Sequence, residues 1–493
     1  VKKAFNFLFV IPVLVSCSIT KQNRYNSEKK FSGQELRQDF SRLQKILESN
    51  HPSLYWYTTE DSLQTYFRAV QSSLTDSMTE QQFKNKVSWA IAKIHCGHTS
   101  VRSSENYANY ITKKRLPQFP YSLKVWKDSA VITAPVSRED STLPRGTIVT
   151  AINGFSTKQI IDSICNMMGT DGYADIFKWQ AISFNFPAYY RNAFGIDSQY
   201  NVHYIDTLGS EKNIFLKNFI SSPDTAKKKR PVEASVPFTR KQFKELRLSA
   251  LRNMKIDTIN NTALLSINTF SEGKLVRFFN KSFKQINRQG IKNVVIDLRI
   301  NSGGSVLACT RLSQFLINRP FHVADTVAAV SRTFPEKKFI KPWFVYWLSM
   351  QFSGRKQDDG RIHFRYFEKH LYKPKEKNHF DGQVYLLTSG YTFSAATLVT
   401  NNLKGQSNVT IVGEETGGGS YGNSAMFLPT VTLPNTGIRI TLPLYRMVFS
   451  GMKPKTGRGI FPDVEVGPSS IYIKNGIDAK LEKVMKLIKL NSN

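Results

Sequence analysis

Two glycine-bearing segments of this 493-residue chain carry the residue types that acyl-transfer chemistry needs. The first runs from Val295 through Asp297-Leu298-Arg299 to Gly303-Gly304, an apolar strand-like run that ends in a turn before a helix. With no Cβ at either glycine, the backbone N–H groups of that turn can come close to a ligand. The second runs from Val384 to Ala396, again strand, loop and helix, with Ser394 at the helix start. A hydroxyl there lies near the positive end of the helix dipole, where an attacking alkoxide is stabilised. The N–H of Ala395, with that of Gly303 or Gly304, could form an oxyanion hole, in which loss of one donor typically costs about 10²–10³ in rate. A serine before a helix is also an ordinary N-cap, so the residue type alone leaves both roles open.

These segments need a scaffold of buried strands, and residues 241–480 supply its pattern. Leu264–Ile267, Val294–Leu298, Val384–Leu387 and Val409–Val412 are compact apolar runs, with helical periodicity at Lys274–Gln289, Val306–Ile317 and Ala395–Lys404 between them. That alternation predicts an α/β core. Residues 320–378 interrupt it with an insertion, rich in Trp and Phe between Phe339 and Met350 and carrying Lys337, Lys338, Arg355 and Lys356. Such a segment fits either a packed subdomain or an element that overhangs the site or touches lipid headgroups.

Two further regions precede the core. Residues 31–110 read as helical: Ser32-x-x-Glu35 and Thr79-x-x-Gln82 are capping boxes. Leu36, Phe40, Leu43 and Leu47 follow the first, and Phe83, Val87, Ala90, Ile91 and Ile94 the second, at helical spacing. Residues 111–221 shift to short alternating runs, with strands expected at Val131–Ala134 and Thr147–Ile152, then Asn153-Gly154 and a helix from about Thr157. This resembles the centre of a PDZ-like domain, which would capture extended peptide at a sheet edge. The polar stretch 222–240 reads as a linker.

The chain resembles the S41 peptidase family, which includes the C-terminal processing proteases and the tricorn core. The resemblance lies in Asp297 to Gly304, in Phe393-Ser394-Ala395-Ala396, in Gly413 to Gly419 and in Gly459-Ile460-Phe461-Pro462-Asp463, with the three regions in the family's order. It implies a ClpP/crotonase-type core and serine endopeptidase chemistry, with Ser394 as nucleophile and no metal or organic cofactor. The processing branch uses a lysine base in the Thr-Gly-rich segment, and Thr416 to Gly422 contains no lysine. The tricorn-like branch takes a histidine from the helical region, a place that His98 in Cys96-Gly97-His98-Thr99 occupies; imidazole, ordinarily titrating near 6.5, suits the removal of a serine proton at neutral pH. That branch also places a glutamate just before its Gly-x-x-Pro-Asp motif, where this chain has Lys455-Thr456-Gly457-Arg458. Asp463, Glu414 and Glu415 are the candidate replacements.

The N-terminus implies an address. Lys2 and Lys3 precede an apolar run from Ala4 to Val15 that is too short for a bilayer core of roughly 30 Å. Leu14-Val15-Ser16-Cys17 resembles a bacterial lipobox, which predicts a leader over 1–17, a lipid on Cys17, a tether over 18–30 and a place in the cell envelope facing periplasm or exterior. Three cysteines remain, Cys96, Cys165 and Cys309, in no metal-binding spacing. The net charge of +31, from 68 Lys and Arg against 37 Asp and Glu, favours anionic partners and above all a membrane surface. No zinc-finger, RNA-binding or basic-zipper pattern supports a nucleic-acid role. The expected partner is a polypeptide substrate. The alternative is a non-catalytic protein that holds peptide or a hydrophobic ligand on the same scaffold, or a membrane-surface scaffold acting through the PDZ-like region.

Overall fold

The computed structural model of the chain describes residues 25–221, 238–451 and 454–492. The expected leader with Cys17, the first part of the tether and most of the 222–240 linker lie outside the described residues. Among the described residues no helix is long and apolar enough to cross a membrane.

The helical region forms as its capping boxes dictate. Ser32 and Glu35 cap the helix Gly33–Asn50, and Thr79 and Gln82 cap Glu80–Ala92. Each satisfies two N-terminal N–H groups that would otherwise lack partners. Both predicted apolar stripes are buried. Between them, within the span read as helical, lies a further helix, Glu60–Ser72, which buries Leu63, Phe67 and Val70.

Residues 121–217 build an antiparallel sheet in the spatial order Tyr121–Trp126, Ser129–Pro135, Ile148–Ile152, Gln199–Ile205, Glu211–Lys217. Asn153 and Gly154 turn the chain with φ of 51° and 82°, and Ser156 caps the helix Thr157–Cys165 that follows. Left-handed backbone at two successive positions is what an Asn-Gly pair tolerates best.

The core is a six-stranded sheet ordered Arg252–Asp257, Thr262–Ile267, Asn293–Asp297, Gln383–Thr388, Val409–Gly413, Val464–Glu465. Only the first pair is antiparallel. Strands covered on both faces must be apolar throughout, and Val294, Val295 and Ile296 are completely buried. Ile296, Leu386 and Ile411 face the helices Leu275–Arg288, Val306–Leu316 and Ala395–Leu403. Val295, Leu387 and Val412 face the C-terminal helix Ala479–Ser492, so the packed core continues past the expected limit at residue 480.

The 320–378 segment is woven in rather than appended. Its strand Ala324–Ala329 pairs with Tyr445–Phe449 in a second sheet. A third sheet pairs Val101–Arg102 of the helical region with Arg439–Thr441 of the core, which fixes the loop before residue 101 against the core.

Candidate active site

Ser394 sits where a parallel strand hands over to a helix, on a loop pinned to the neighbouring strand end. Thr392 Oγ1 donates to the Leu298 carbonyl at 2.9 Å, and the Phe393 N–H to the Asn301 carbonyl at 3.1 Å. So held, Ser394 adopts φ 53° and ψ −121°, left-handed backbone that a non-glycine residue takes at a cost of about 1–3 kcal/mol. Its side chain does not cap the following helix. The N-cap reading therefore fails: the hydroxyl is turned to His98 Nε2, 3.0 Å away.

The glycines explain how that turn fits. A Cβ on Gly303 would stand 2.6 Å from the Ser394 Cβ and 2.9 Å from the Ala395 nitrogen, at a φ of +103°. One on Gly418 would meet Thr397 Oγ1 at 2.2 Å, so the Thr-Gly-rich segment has to be bare to pack under the nucleophile turn. The Gly303 N–H is already engaged, donating to Asn301 Oδ1 at 2.8 Å. Gly304 and Ala395 show no hydrogen bond from their N–H groups among the described residues, and both line the cavity that Ser394 and His98 face. Of the two glycines proposed from sequence, Gly304 is the available donor and Gly303 the packing residue.

His98 arrives from a loop tied down on every side. Its strand neighbour Val101 pairs with Ile440, and Thr99 Oγ1 lies 2.8 Å from His51 Nε2. Its ring rests on Phe393 at 4.7 Å between centroids, and Phe393 stacks on Phe177. His98 and Ser394 are 296 residues apart in the chain.

Burial keeps His51 neutral, with its pKa pushed down to about 3 from 6.5. Between those values the unfolded chain binds a proton that the folded chain refuses. The contribution of His51 to stability is thus full above about pH 6.5 and is lost as pH falls towards 3. Thermal unfolding should show a midpoint that drops from neutral pH to about pH 5, with a shallower drop in His51→Gln. An unchanged slope in that variant would assign the acid lability to other groups.

None of the three carboxylates proposed to orient His98 reaches it. Asp463 accepts from the Ile411 N–H at 2.8 Å and pairs with Lys404. Glu414 pairs with Lys480 and accepts from Gln180, tying the core to the β-rich region. Glu415 holds Arg458 and the Gly459 N–H, bracing the Gly-Ile-Phe-Pro-Asp turn. Each is occupied by a backbone N–H, an amide or a cationic partner of its own, and none contacts His98.

The acid beside His98 is Asp171, which sequence reasoning missed. Its Oδ1 lies 3.7 Å from His98 Nδ1, with side-chain exposures of 3% and 9%. Oδ1 also accepts from the Gly97 N–H at 2.9 Å. Asp171 Oδ2 and His98 Nδ1 are both buried without a hydrogen-bond partner. Asp171 lies against the very stretch where the family resemblance expects a glutamate: the Tyr173 N–H donates to the Gly457 carbonyl at 2.6 Å, and Gly172 packs on Gly457. Thr456 cannot supply a carboxylate, and the facing segment does.

The cavity in front of Ser394 has a volume of about 500 Å³ and apolar walls that include Tyr346, Met426, Phe427 and Met447. A larger cleft of about 690 Å³ between the helical and β-rich regions contains neither Ser394 nor His98. Cys96, Cys165 and Cys309 are free, and burial pushes the Cys96 and Cys165 thiols up to about 12, far from reactive thiolates.

A strained serine on a strand-to-helix turn, hydrogen-bonded to a histidine and flanked by two unpaired backbone N–H groups, defines a serine hydrolase on an α/β core. Residues 261–466 match the family model described as Peptidase family S41. Among solved structures, the crystal structure of mature CPAF superposes with a TM-score of 0.65 at 14% identity, covering 92% of this chain and 97% of that one. Mature CPAF complexed with lactacystin gives 0.65 and 14%, covering 94% and 99%. At that identity the likeness is one of fold. No curated protein matches the chain.

Proposed function

We propose that the chain is an endopeptidase in which Ser394 attacks the scissile carbonyl, His98 acts as base and then acid, and Asp171 orients the imidazole. The observation that carries this reading is the 3.0 Å contact between His98 Nε2 and Ser394 Oγ. As the Ser394 oxygen bonds to the carbonyl carbon, its proton passes to Nε2. The resulting oxyanion accepts from the Gly304 and Ala395 N–H groups, and the imidazolium faces the Asp171 carboxylate. When the tetrahedral intermediate collapses, the C–N bond breaks and Nε2–H protonates the leaving amine. Water then repeats the sequence on the acyl-enzyme and frees Ser394. The apolar wall of Tyr346, Met426 and Phe427 suits a hydrophobic side chain next to the scissile bond.

In the same reading the β-rich region 111–221 is a PDZ-like module that captures or gates extended polypeptide, and Cys17 carries a lipid that holds the enzyme in a bacterial cell envelope, facing periplasm or exterior. The test is direct. A fluorophosphonate probe should label the purified chain, with label lost in Ser394→Ala, and the unlabelled chain should cleave an unfolded protein. Absence of both labelling and cleavage would favour the binding-protein alternative on the same scaffold.

A further inference from the structure

The helix Trp343–Ser353 has no charged residue, and neither do the residues that flank it, Pro342 and Gly354. One face is packed: Met350 is fully buried, and Trp343, Tyr346 and Trp347 lie against the core. At about 100° per residue, Phe344, Val345, Leu348 and Phe352 fall together on the opposite face. They are 53%, 54%, 40% and 82% exposed. A helix apolar on both sides belongs between two apolar phases, and only one is present here.

The surroundings of that face identify the other phase. Lys337, Lys338 and Lys341 stand exposed before the helix, and Arg355 and Lys356 stand exposed just after it. None of these five has an ion-pair partner among the described residues; of the nearby acids, Glu336 is held by Arg42 and Lys45, and Asp359 by His363. The Lys337 Nζ lies 5.0 Å above the Trp343 ring, a pairing of aromatic and cation common where protein meets headgroups. We propose that this helix docks the enzyme on an anionic lipid surface, with Phe344, Val345, Leu348 and Phe352 among the acyl chains and the five cations at the phosphates. A second copy is a poor occupant, because pairing would bring together two basic rims on chains of net charge +31. Nucleic acid would answer the cations and leave the four apolar side chains in water.

The inner side of the same helix reaches the site. Tyr346 lines the cavity of Ser394 and packs on Phe427 at 5.6 Å. Docking would therefore hold that cavity beside the membrane and favour polypeptide segments at its surface. This consequence rests on the catalytic reading, whereas lipid binding itself does not.

The experiment uses the full chain carrying Cys17→Ser, so that no acyl chain is attached and any residual leader contributes equally to every variant. Co-sedimentation is measured with vesicles of phosphatidylcholine alone and of phosphatidylcholine mixed with phosphatidylglycerol. Binding should require the anionic lipid and weaken about tenfold or more in Phe344→Ser/Phe352→Ser. Lys337→Gln/Lys338→Gln/Lys341→Gln should lose the preference for phosphatidylglycerol. All five positions are exposed, so the variants should fold, and unchanged probe labelling of Ser394 checks that they do. Equal binding by the Phe variant and its parent would overturn the proposal. So would a concentration-dependent dimer that the Phe variant abolishes while vesicles stay unbound, which would make a second copy the occupant.

Discussion

Ser394→Ala is expected to lower kcat on an unfolded polypeptide by about 10⁶, and His98→Ala by nearly as much, because nucleophile and base act as one unit. The two losses should not add in the double variant. The reason is geometric. The Ser394 hydroxyl contacts His98 Nε2 at 3.0 Å, and it is held in that direction by a backbone the loop contacts have already fixed. Alanine keeps the turn and removes only Oγ, so the thermal midpoint should move by no more than the loss of one hydrogen bond implies, about 1 kcal/mol. Steady-state kinetics with matched unfolding curves make the check. A His98→Ala enzyme retaining about a tenth of wild-type kcat would mean that another group takes the serine proton.

The parts of this site that could be read from the sequence are those where backbone geometry restricts residue choice. Gly303 and Gly418 are written into the chain because a Cβ at either would strike the nucleophile turn or Thr397 in the helix behind it, and Gly304 because a Cβ there would strike the Phe270–Ser271 backbone. The buried strands were legible because parallel strands covered on both faces tolerate little but Val, Ile and Leu, as in Val294 to Ile296. The helix Glu60–Ser72 lies within the span read as helical, but its stripe of three buried residues is too short to mark its bounds. Asp171 left no local signal at all. It is one aspartate in a loop, 74 residues from the Gly97 N–H it accepts from, and no periodicity or turn rule marks it as different from its neighbour Asp175. Its place follows from tertiary packing, in which the 171–173 segment crosses over Gly457. The same packing brings a carboxylate from a segment distant in sequence up to the Thr456–Gly457 stretch, whereas Asp463, Glu414 and Glu415, all within the core, are engaged elsewhere.

Asp171→Asn is the sharper test of that exchange, with an expected fall in kcat of about 10²–10⁴ at little change in KM. Asparagine can still accept from the Gly97 N–H through Oδ1, so the loop that bears His98 keeps its anchor. What disappears is the negative charge facing Nδ1, together with the preference for an Nδ1–H tautomer that leaves Nε2 free to take the serine proton. The starting separation of 3.7 Å is longer than a hydrogen bond, and both Nδ1 and Oδ2 are buried without another partner. A shift of less than about an ångström brings Nδ1 within hydrogen-bond distance of Oδ1, and catalytic hydrogen bonds often tighten only once substrate is bound. A merely structural aspartate would lose stability on substitution and leave kcat per folded molecule intact. Asp171→Ala separates the two roles further, since it also abandons the Gly97 N–H in a buried site at a cost of about 1–3 kcal/mol. The expected pattern is therefore a large kcat loss with a normal unfolding midpoint in Asn, and the same kcat loss with a lowered midpoint in Ala. If Asn keeps full activity, the carboxylate that steadies His98 during turnover has to come from elsewhere, and the unpaired Nδ1 from a rearrangement on substrate binding.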